Sequence, residues 1–304
     1  MPRVDLRPSS FAGPGFRLYD ARGCSAAPSF TPHFHLEYLI AAQLQGIDAC
    51  HIGRQLYHFV PGDIVLINPH QVHTGNADSA DSLQYVSLYV DHELVKGLAE
   101  ELGVSTMSPE FTVVKTSPHP ELVGELIRML DLVRARHDRT TRPRDGRGQS
   151  SEAVELDDNP DRLAIDCALH SVVLHVFEGF SNLRSPWALS TQRVGNRRIA
   201  RALGCIRALD PEAPTSPSLG ELAAVAGLSK FHFLRQFSET VGMTPGAYLR
   251  TLRLCHAARK LRISKAPIFE IALRSGFSDH PSFSRAFARH MGMTPSQYQQ
   301  LASC

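Results

Sequence analysis

Residues 221–229 read ELAAVAGLS, and residues 270–278 read EIALRSGFS, which is the same pattern 49 positions later. Further along, Gly242-Met-Thr-Pro245 returns as Gly292-Met-Thr-Pro295, now at a spacing of 50. The second copy therefore holds one additional residue, Asp279, between the two repeated stretches. Similarity at a fixed period of this length indicates a duplicated supersecondary unit.

Each copy carries start and stop signals for two short helices joined by a tight turn. Ser218-x-x-Glu221 predicts a capping box, and Pro267 suits the first helical position in the second copy. Gly227 and Gly276 predict left-handed residues that end the first helices. The sequence therefore predicts two helix-turn-helix units.

The second helix of each unit should begin at a polar cap and end at the repeated GMTP motif. Ser229 in the first unit, and Ser278 or Asp279 in the second, can supply the cap. In GMTP, glycine ends one helix, threonine caps the next and proline occupies its first turn.

At 100° per residue, both second helices separate an apolar face from an outward face. The predicted core positions are Phe233, Phe237 and Val241 in the first unit and Phe283, Phe287 and Met291 in the second. The predicted outward positions are Phe231, Leu234, Arg235 and Ser238, and then Pro281, Ser284, Arg285 and Arg289. Arg235 and Arg285 occupy the same angular position, from which an arginine can make a bidentate contact with guanine in a major groove.

A helix of about 19 residues, 245–263, is predicted between the units. At ~1.5 Å per residue it would be roughly 28 Å long, close to the ~34 Å repeat of the major groove. We expect four of its arginines to lie near phosphates: Arg250, Arg253, Arg259 and Arg262.

The net charge of +2 is unevenly distributed along the 304 residues. Residues 193–304 hold 16 Lys and Arg against 6 Asp and Glu, whereas residues 1–192 hold 16 against 24. The C-terminal part is therefore basic (+10) and the N-terminal part acidic (−8), which favours a polyanionic partner for the former.

Residues 196–299 resemble the DNA-binding domain of the AraC/XylS family of transcription regulators, since the caps, glycines, aromatic core and connecting helix recur in order. The resemblance implies double-stranded DNA as a partner, RNA polymerase as a second partner, a homodimer and usually promoter activation. It implies base-facing positions at Lys230, Phe231, Leu234 and Arg235 and at His280, Ser282, Ser284 and Arg285. Pro281 departs from this pattern, because it removes a donor from the first turn of the second recognition helix.

The N-terminal part reads as short strands from about 11 to 116, separated by breaks containing Gly, Pro and Asn, which predicts a small β-barrel or sandwich. Helices are predicted at about 120–137 and 161–180, with a polar mobile loop at about 139–160 between them. We therefore predict an α+β protein of two domains, 1–183 and 193–304, joined by a linker at 184–192.

His33, His35 and Glu37 would share one face of a strand, and His73 follows the segment PGDIVLINP (61–69). These segments resemble a cupin barrel, which is the sensor domain of many AraC-type proteins. The favoured interpretation is a small-molecule pocket lined by His33, His35, Glu37, Tyr38 and His73, so neither a metal nor a cofactor is assigned. A metal ion held by the three histidines and Glu37, and purely structural histidines, are the alternatives.

An apolar stripe on the second predicted helix has two interpretations, packing on the barrel or a dimer contact. It consists of Leu163, Cys167, Leu169, Val173, Val176, Phe177 and Phe180. The N-terminus lacks an apolar signal segment, no apolar run reaches the length of a membrane span, and the six cysteines are scattered, so we expect a cytoplasmic protein without a membrane partner.

Together these patterns predict a non-enzymatic, ligand-responsive, sequence-specific DNA-binding regulator, with activation as the expected effect. The alternative is a cupin-type metalloprotein or metalloenzyme that carries a DNA-binding appendage.

Overall fold

A computed structural model describes residues 9–21, 30–75, 83–102, 104, 109–141, 160–183, 196–210 and 216–301. The predicted linker and most of the predicted mobile loop lie outside these residues. Within them the chain forms the strands β1 Ser9–Gly13, β2 Phe16–Asp20, β3 Phe30–His33, β4 Tyr38–Gln45, β5 Asp48–Ile52, β6 Gln55–Phe59, β7 Ile64–Ile67, β8 His73–Gly75 and β9 Gln84–Val90. The helices are α1 His92–Glu101, α2 Pro120–Thr141, α3 Pro160–Phe180, α4 Arg197–Arg207, α5 Leu219–Ala226, α6 Lys230–Val241, α7 Pro245–Ile263, α8 Ile268–Arg274, α9 His280–Met291 and α10 Pro295–Leu301.

The strands form two antiparallel sheets, in the orders β1-β2-β9-β4-β7 and β3-β8-β5-β6. Strand β4 is buried on both faces. Its residues Tyr38, Ile40 and Ala42 belong to the core shared with α1, α2 and α3. The alternating residues Leu39 and Ala41 pack toward the second sheet. The fold therefore confirms the predicted α+β class, with a β-sheet N-terminal domain carrying helices.

Helix α1 was not predicted, because its residues 92–101 fall inside the range read as strands. Helices α2 and α3 were predicted, and α2 continues to Thr141.

Among the described residues, the segment Arg162–Phe180 of α3 is long and apolar enough to span a membrane by length and composition. This finding differs from the expectation that no such run exists. Leu169, Val172, Val173, Val176 and Phe177 lie in the core against α2 and the sheet, with at most 1% of each exposed. We therefore interpret α3 as a core helix.

The apolar stripe on α3 consequently separates into two parts. Leu169, Val173, Val176 and Phe177 are core residues, and the half-buried Phe180 packs against the same core, so the part of the stripe that they form is not a dimer contact. Leu163, which is 67% exposed, and Cys167 face outward.

The C-terminal helices start and stop where local signals place them. Ser218 and Glu221 form the capping box of α5, and Ser229 caps α6. Gly227 ends α5 in the left-handed region (φ 65°), and Gly242 ends α6 likewise (φ 87°). The GMTP motifs therefore stop one helix and start the next, as predicted.

In the second unit, the structure corrects the predicted position of Pro267 and decides which residue caps α9. Pro267 is the N-cap of α8 rather than its first helical residue. Asp279, the additional residue of the second copy, caps α9 by accepting a hydrogen bond from Ser282 N at 2.7 Å.

The two turn glycines provide a matched test of backbone strain. A Cβ on Gly227 would meet nothing within 4 Å, whereas one on Gly276 (φ 77°) would clash with the Arg253 guanidinium. Gly227→Ala should cost about 1–2 kcal/mol of stability from the left-handed backbone alone. Gly276→Ala should cost more, because Arg253 must also leave its hydrogen bond with Ser216.

Urea denaturation of both variants, alone and combined with Arg253→Ala, measures this difference. We expect the additional cost of Gly276→Ala to disappear in the Arg253→Ala background. Equal costs for the two glycine variants would contradict the contact between Arg253 and the turn.

Candidate DNA-binding surface and interdomain site

Helix α6 presents the predicted outward face to solvent. Phe233 and Phe237 are fully buried beneath it, and Phe231 and Leu234 on the other side are 71% and 39% exposed. The Arg235 side chain is 61% exposed and lies 3.8 Å from Glu239 one turn later. Phe231, Leu234 and Arg235 therefore form one exposed side of α6 that combines apolar groups with a positive charge.

Helix α9 repeats this arrangement with a more polar face. Phe283 and Phe287 are fully buried, while His280 and Arg285 are exposed. Arg285 Nη2 donates to Ser282 Oγ at 3.3 Å, and Ser284 Oγ lies 3.4 Å from His280 Nε2. Lys230, Phe231, Leu234 and Arg235 are thus all exposed on α6. On α9, by contrast, Ser282 is half-buried and its hydroxyl donates to the capping carboxylate of Asp279 at 2.9 Å.

The four arginines of α7 do not share one environment. Arg250 and Arg259 are exposed, whereas Arg253 is half-buried and donates to Ser216 Oγ at 2.7 Å. Arg262 faces the N-terminal domain. Its guanidinium pairs with both oxygens of Asp91, at 3.2 and 3.1 Å, and is 13% exposed. The expectation that Arg262 contacts phosphate is therefore wrong, because acidic groups of the N-terminal domain neutralise it.

Phe34 joins the two domains through apolar packing. It follows directly after β3 in the N-terminal domain, and its side chain is fully buried in the core of the first helix-turn-helix unit. Its ring centroid lies 4.5 Å from that of Tyr248 on α7, and its backbone oxygen accepts from Cys255 Sγ at 3.4 Å. The domains therefore share a core as well as surface contacts.

Glu37 lies at the centre of a buried ion network between the domains. Arg17 Nη2 donates to Glu37 Oε1 at 2.7 Å, and Arg262 Nη1 lies 3.6 Å from the same oxygen. Burial alone would raise the pKa of Glu37, but these two guanidinium groups lower it below its usual value. The Arg17 guanidinium also stacks over the ring of Tyr298 on α10, 5.3 Å from its centroid. Glu37 thus supports the interface and does not join the histidines.

His33, His35 and His73 come together, whereas Glu37, which was expected on the same face as His33 and His35, does not join them. Their ligand-forming nitrogens all lie within 4.8 Å of one another, and His35 Nε2 is 3.1 Å from His73 Nε2. Burial lowers the pKa of all three below the usual value, so their rings are neutral near pH 7. His290 of α9 reaches the same place, with its ring centroid 5.7 Å from that of His33.

A cleft of about 410 Å³ lies between the domains. Of the five residues predicted to line a ligand pocket, Glu37 and Tyr38 line this cleft, but His33, His35 and His73 do not. The Tyr38 hydroxyl donates to Pro109 O at 2.7 Å, and its ring is almost entirely buried. His70, in the cleft wall, has a left-handed backbone (φ 63°), which is uncommon outside glycine and concentrates at functional sites. The cleft is lined by Leu36, Glu37, Tyr38, Pro69, His70, Asp91, His92, Glu93, Glu110, Arg207, Cys255, His256, Arg259 and Arg262.

The sequence analysis did not identify the residues through which one domain contacts the other. Phe34, Asp91 and His290 belong to this group. No local pattern identifies their partners, because each contact joins positions far apart in the chain. One signal was present for Phe34, since a large apolar residue between His33 and His35 points away from the histidine face.

Two family models match this chain. The AraC-like ligand binding domain matches residues 14–169, just over half of the chain, and a helix-turn-helix domain matches residues 222–301. These matches define a helix-turn-helix protein with a ligand-binding domain. The chain belongs to the AraC family of transcription regulators, and it is a DNA-binding regulator rather than an enzyme.

Curated relatives match about a quarter of this chain. The right origin-binding protein of Escherichia coli is 41% identical over 83 residues, which cover 27% of this chain and 29% of that protein. The transcriptional activator AarP of Providencia stuartii is 37% identical over 82 residues, which cover 27% of this chain and 61% of AarP. This chain thus covers less than two thirds of the length of either relative.

Among solved structures, ToxT of Vibrio cholerae superposes with a TM-score of 0.52 at 12% identity, covering 96% of this chain and 99% of ToxT. The likeness shows that the two-domain fold is shared.

Proposed function

We propose that the protein is a ligand-responsive, sequence-specific regulator, and most simply an activator, that reads two successive major-groove segments with α6 and α9. The observation that carries this proposal is the matched exposure of Arg235 and Arg285 on duplicated helices. Helix α7 between them, Pro245–Ile263, has 19 residues and is roughly 28 Å long at ~1.5 Å per residue, which suits adjacent grooves.

In this proposal the two helices use different chemistry. Lys230, Phe231, Leu234 and Arg235 combine a basic donor with apolar groups that can pack on thymine methyls. His280, Ser282, Ser284 and Arg285 offer mainly hydrogen bonds. The basic surface of Arg250 and Arg253 supplies sequence-independent affinity through phosphates.

Selection of binding sites from a random pool of duplex DNA by the full chain tests the proposal. We expect enrichment of one bipartite sequence, with at least ~1,000-fold preference over random duplex at physiological salt. A pool that stays random after repeated rounds, from a chain that is folded by circular dichroism, would overturn it.

A comparison of two arginines on α7 separates phosphate contact from domain contact. Arg250→Ala should weaken binding to selected and random DNA alike and lower the slope of log affinity against log salt by about 1. Arg262→Ala should leave that slope unchanged, because Asp91 and Glu37 occupy this guanidinium. Affinities measured across a salt series check both results, and a reduced slope for Arg262→Ala would contradict the assigned role.

The effector would act where the domains meet. A ligand in the cleft would contact both domains at once, so it could favour one arrangement of the DNA-binding domain over another. Because the cleft includes Arg207, Arg259 and Arg262 from the C-terminal domain, a metabolite screen by thermal shift requires the full chain. A compound that raises the melting temperature of the full chain and changes its operator affinity would support this mechanism.

Further parts of the proposal rest on family resemblance. We propose that the protein acts in the cytoplasm as a homodimer and contacts RNA polymerase at its promoters. Leu163 and Cys167 of α3 are the exposed positions of the predicted stripe, so a dimer contact on α3 would involve them.

A second candidate function, a metal-binding regulator, is favoured by the three clustered histidines. In this second candidate the protein binds a metal ion, as in the metalloprotein alternative, but catalyses no reaction.

A further inference from the structure

His33, His35 and His73 form a compact cluster of three imidazoles. The pairing of β3 with β8 places His33 directly opposite His73, and His35 follows two residues after His33. These three imidazoles meet at the side of the N-terminal domain that faces α7 and α9. Strand register and the interval of two residues thus bring the three rings together.

Backbone hydrogen bonds fix which nitrogen of two rings carries the proton. His33 Nδ1 lies 2.9 Å from Thr31 O, and His73 Nδ1 lies 2.9 Å from Gln71 O. Carbonyl oxygens only accept, so both Nδ1 atoms are donors and both Nε2 atoms are unprotonated in the neutral rings. Histidines that ligate metals show this same arrangement, in which the ring nitrogen that does not bind the metal donates to a carbonyl.

The spacing of the nitrogens also suits a metal ion. Imidazole nitrogens bind Zn²⁺ at about 2.0–2.1 Å in a tetrahedral arrangement, which places neighbouring ligand atoms a little over 3 Å apart. The Nε2 atoms of His35 and His73 are 3.1 Å apart, and because His73 Nε2 is unprotonated, His35 Nε2 donates this hydrogen bond. A bound ion would replace that proton, which would move to His35 Nδ1 or to solvent. Three neutral imidazoles are a donor set for zinc, nickel, copper or iron rather than for calcium or magnesium.

A fourth histidine extends the cluster into the DNA-binding domain. His290 stands at the end of the recognition helix α9, 5.7 Å from His33 between ring centroids. Its Nε2 lies 3.6 Å from Cys255 Sγ of α7. Glu37, the carboxylate nearest in sequence, pairs instead with Arg17 and Arg262, so an additional protein ligand would come from the other domain.

We propose that His33, His35 and His73 bind one divalent transition-metal ion, and that His290 contributes to the site from α9, so that the ion couples the N-terminal domain to a recognition helix. This inference rests on the proposed function for its regulatory consequence, but the metal site itself stands on geometry alone. The ion would be the effector, or one of two effectors alongside a ligand in the cleft.

A second histidine group supplies a matched control. His119, Glu121 and His175 also lie within metal-binding distance of one another, at the start of α2 and on α3. His175 Nδ1 there lies 3.3 Å from Glu125 Oε2, and the group is more exposed than the first cluster. A variant at His175 removes one imidazole of the second group and leaves the proposed site untouched.

The test is a Co²⁺ titration of the full, chelator-treated chain, followed by visible absorption. We expect one equivalent to bind with the spectrum of a four-coordinate, nitrogen-rich site, and Zn²⁺ to displace it. His35→Asn should lower the affinity at least ~100-fold, and His290→Gln about 10-fold. His175→Asn should leave the spectrum and the affinity unchanged.

Three results would overturn the inference. Wild-type protein that binds no Co²⁺ below about 10 μM would exclude the site, irrespective of how any variant folds. Loss of the spectrum in His175→Asn but not in His35→Asn would assign the ion to the other group. A His290→Gln variant with wild-type affinity would remove the interdomain part.

The regulatory consequence is measured separately with the selected DNA. One equivalent of Zn²⁺ should change operator affinity at least ~5-fold, and this change should be lost in His35→Asn. Equal affinity with and without the ion, in a chain that binds Co²⁺, would refute coupling while the metal site stood. Failure of the DNA selection with intact Co²⁺ binding would instead refute the proposed function.

Discussion

Replacing Arg235 with alanine should lower affinity for the selected operator by about 5- to 150-fold, which corresponds to ~1–3 kcal/mol. Arg235 is exposed on the outward face of α6, above the buried Phe233 and Phe237, so its removal leaves the fold intact. We expect affinity for random duplex to change much less, because a base contact contributes chiefly to specific binding. Competition binding with operator and random DNA at one fixed salt concentration measures both effects.

Arg128→Ala is the control for net charge, since Arg128 is an exposed arginine on α2 of the N-terminal domain. It removes the same charge and should alter neither affinity appreciably. If Arg235→Ala weakened operator and random DNA by the same factor, Arg235 would be a phosphate contact and not a base-reading residue.

Replacing Phe34 with alanine should cost about 3–5 kcal/mol of stability and loosen the contact between the domains. Phe34 is fully buried against Tyr248 in the core of the first helix-turn-helix unit, although it belongs to the N-terminal domain. The substitution leaves a cavity lined by residues of both domains. Urea denaturation followed by circular dichroism, together with limited proteolysis between the domains, measures the two effects.

Phe231→Ala is the matched control, because Phe231 is 71% exposed on α6. Its effect on stability should stay within about 0.5 kcal/mol, while its effect on operator affinity should be clear. A loss below about 1 kcal/mol for Phe34→Ala would show that the domains do not share this core in solution.

The two helix-turn-helix units could be predicted almost completely from the sequence, because their helix boundaries depend on local chemistry, whereas α4 was not predicted. Ser218 with Glu221, Gly227 and the GMTP motifs act within one helical turn of their own positions, and each is where the sequence placed it. Pro267 is the exception, since a proline fits either the N-cap or the first turn and its tertiary setting decides between them.

The interdomain site could be predicted only in part. The convergence of His33 and His35 follows from the two-residue period of extended chain, and that of His73 from the family resemblance. The partner of Glu37 could not be predicted, because whether it faces histidines or arginines depends on how α7 packs against the N-terminal domain. The same packing converts Arg262 from an expected phosphate contact into the partner of Asp91.

The central claim is that one chain reads two major-groove segments on the same face of the duplex. Guanine methylation interference on the selected operator, with the full chain, tests it most directly. We predict two clusters of guanines whose methylation interferes with binding, centred about 10 base pairs apart for each chain. The cluster contacted by α6 should be lost in Arg235→Ala. A single cluster for each chain, or two clusters on opposite faces of the duplex, would contradict the claim.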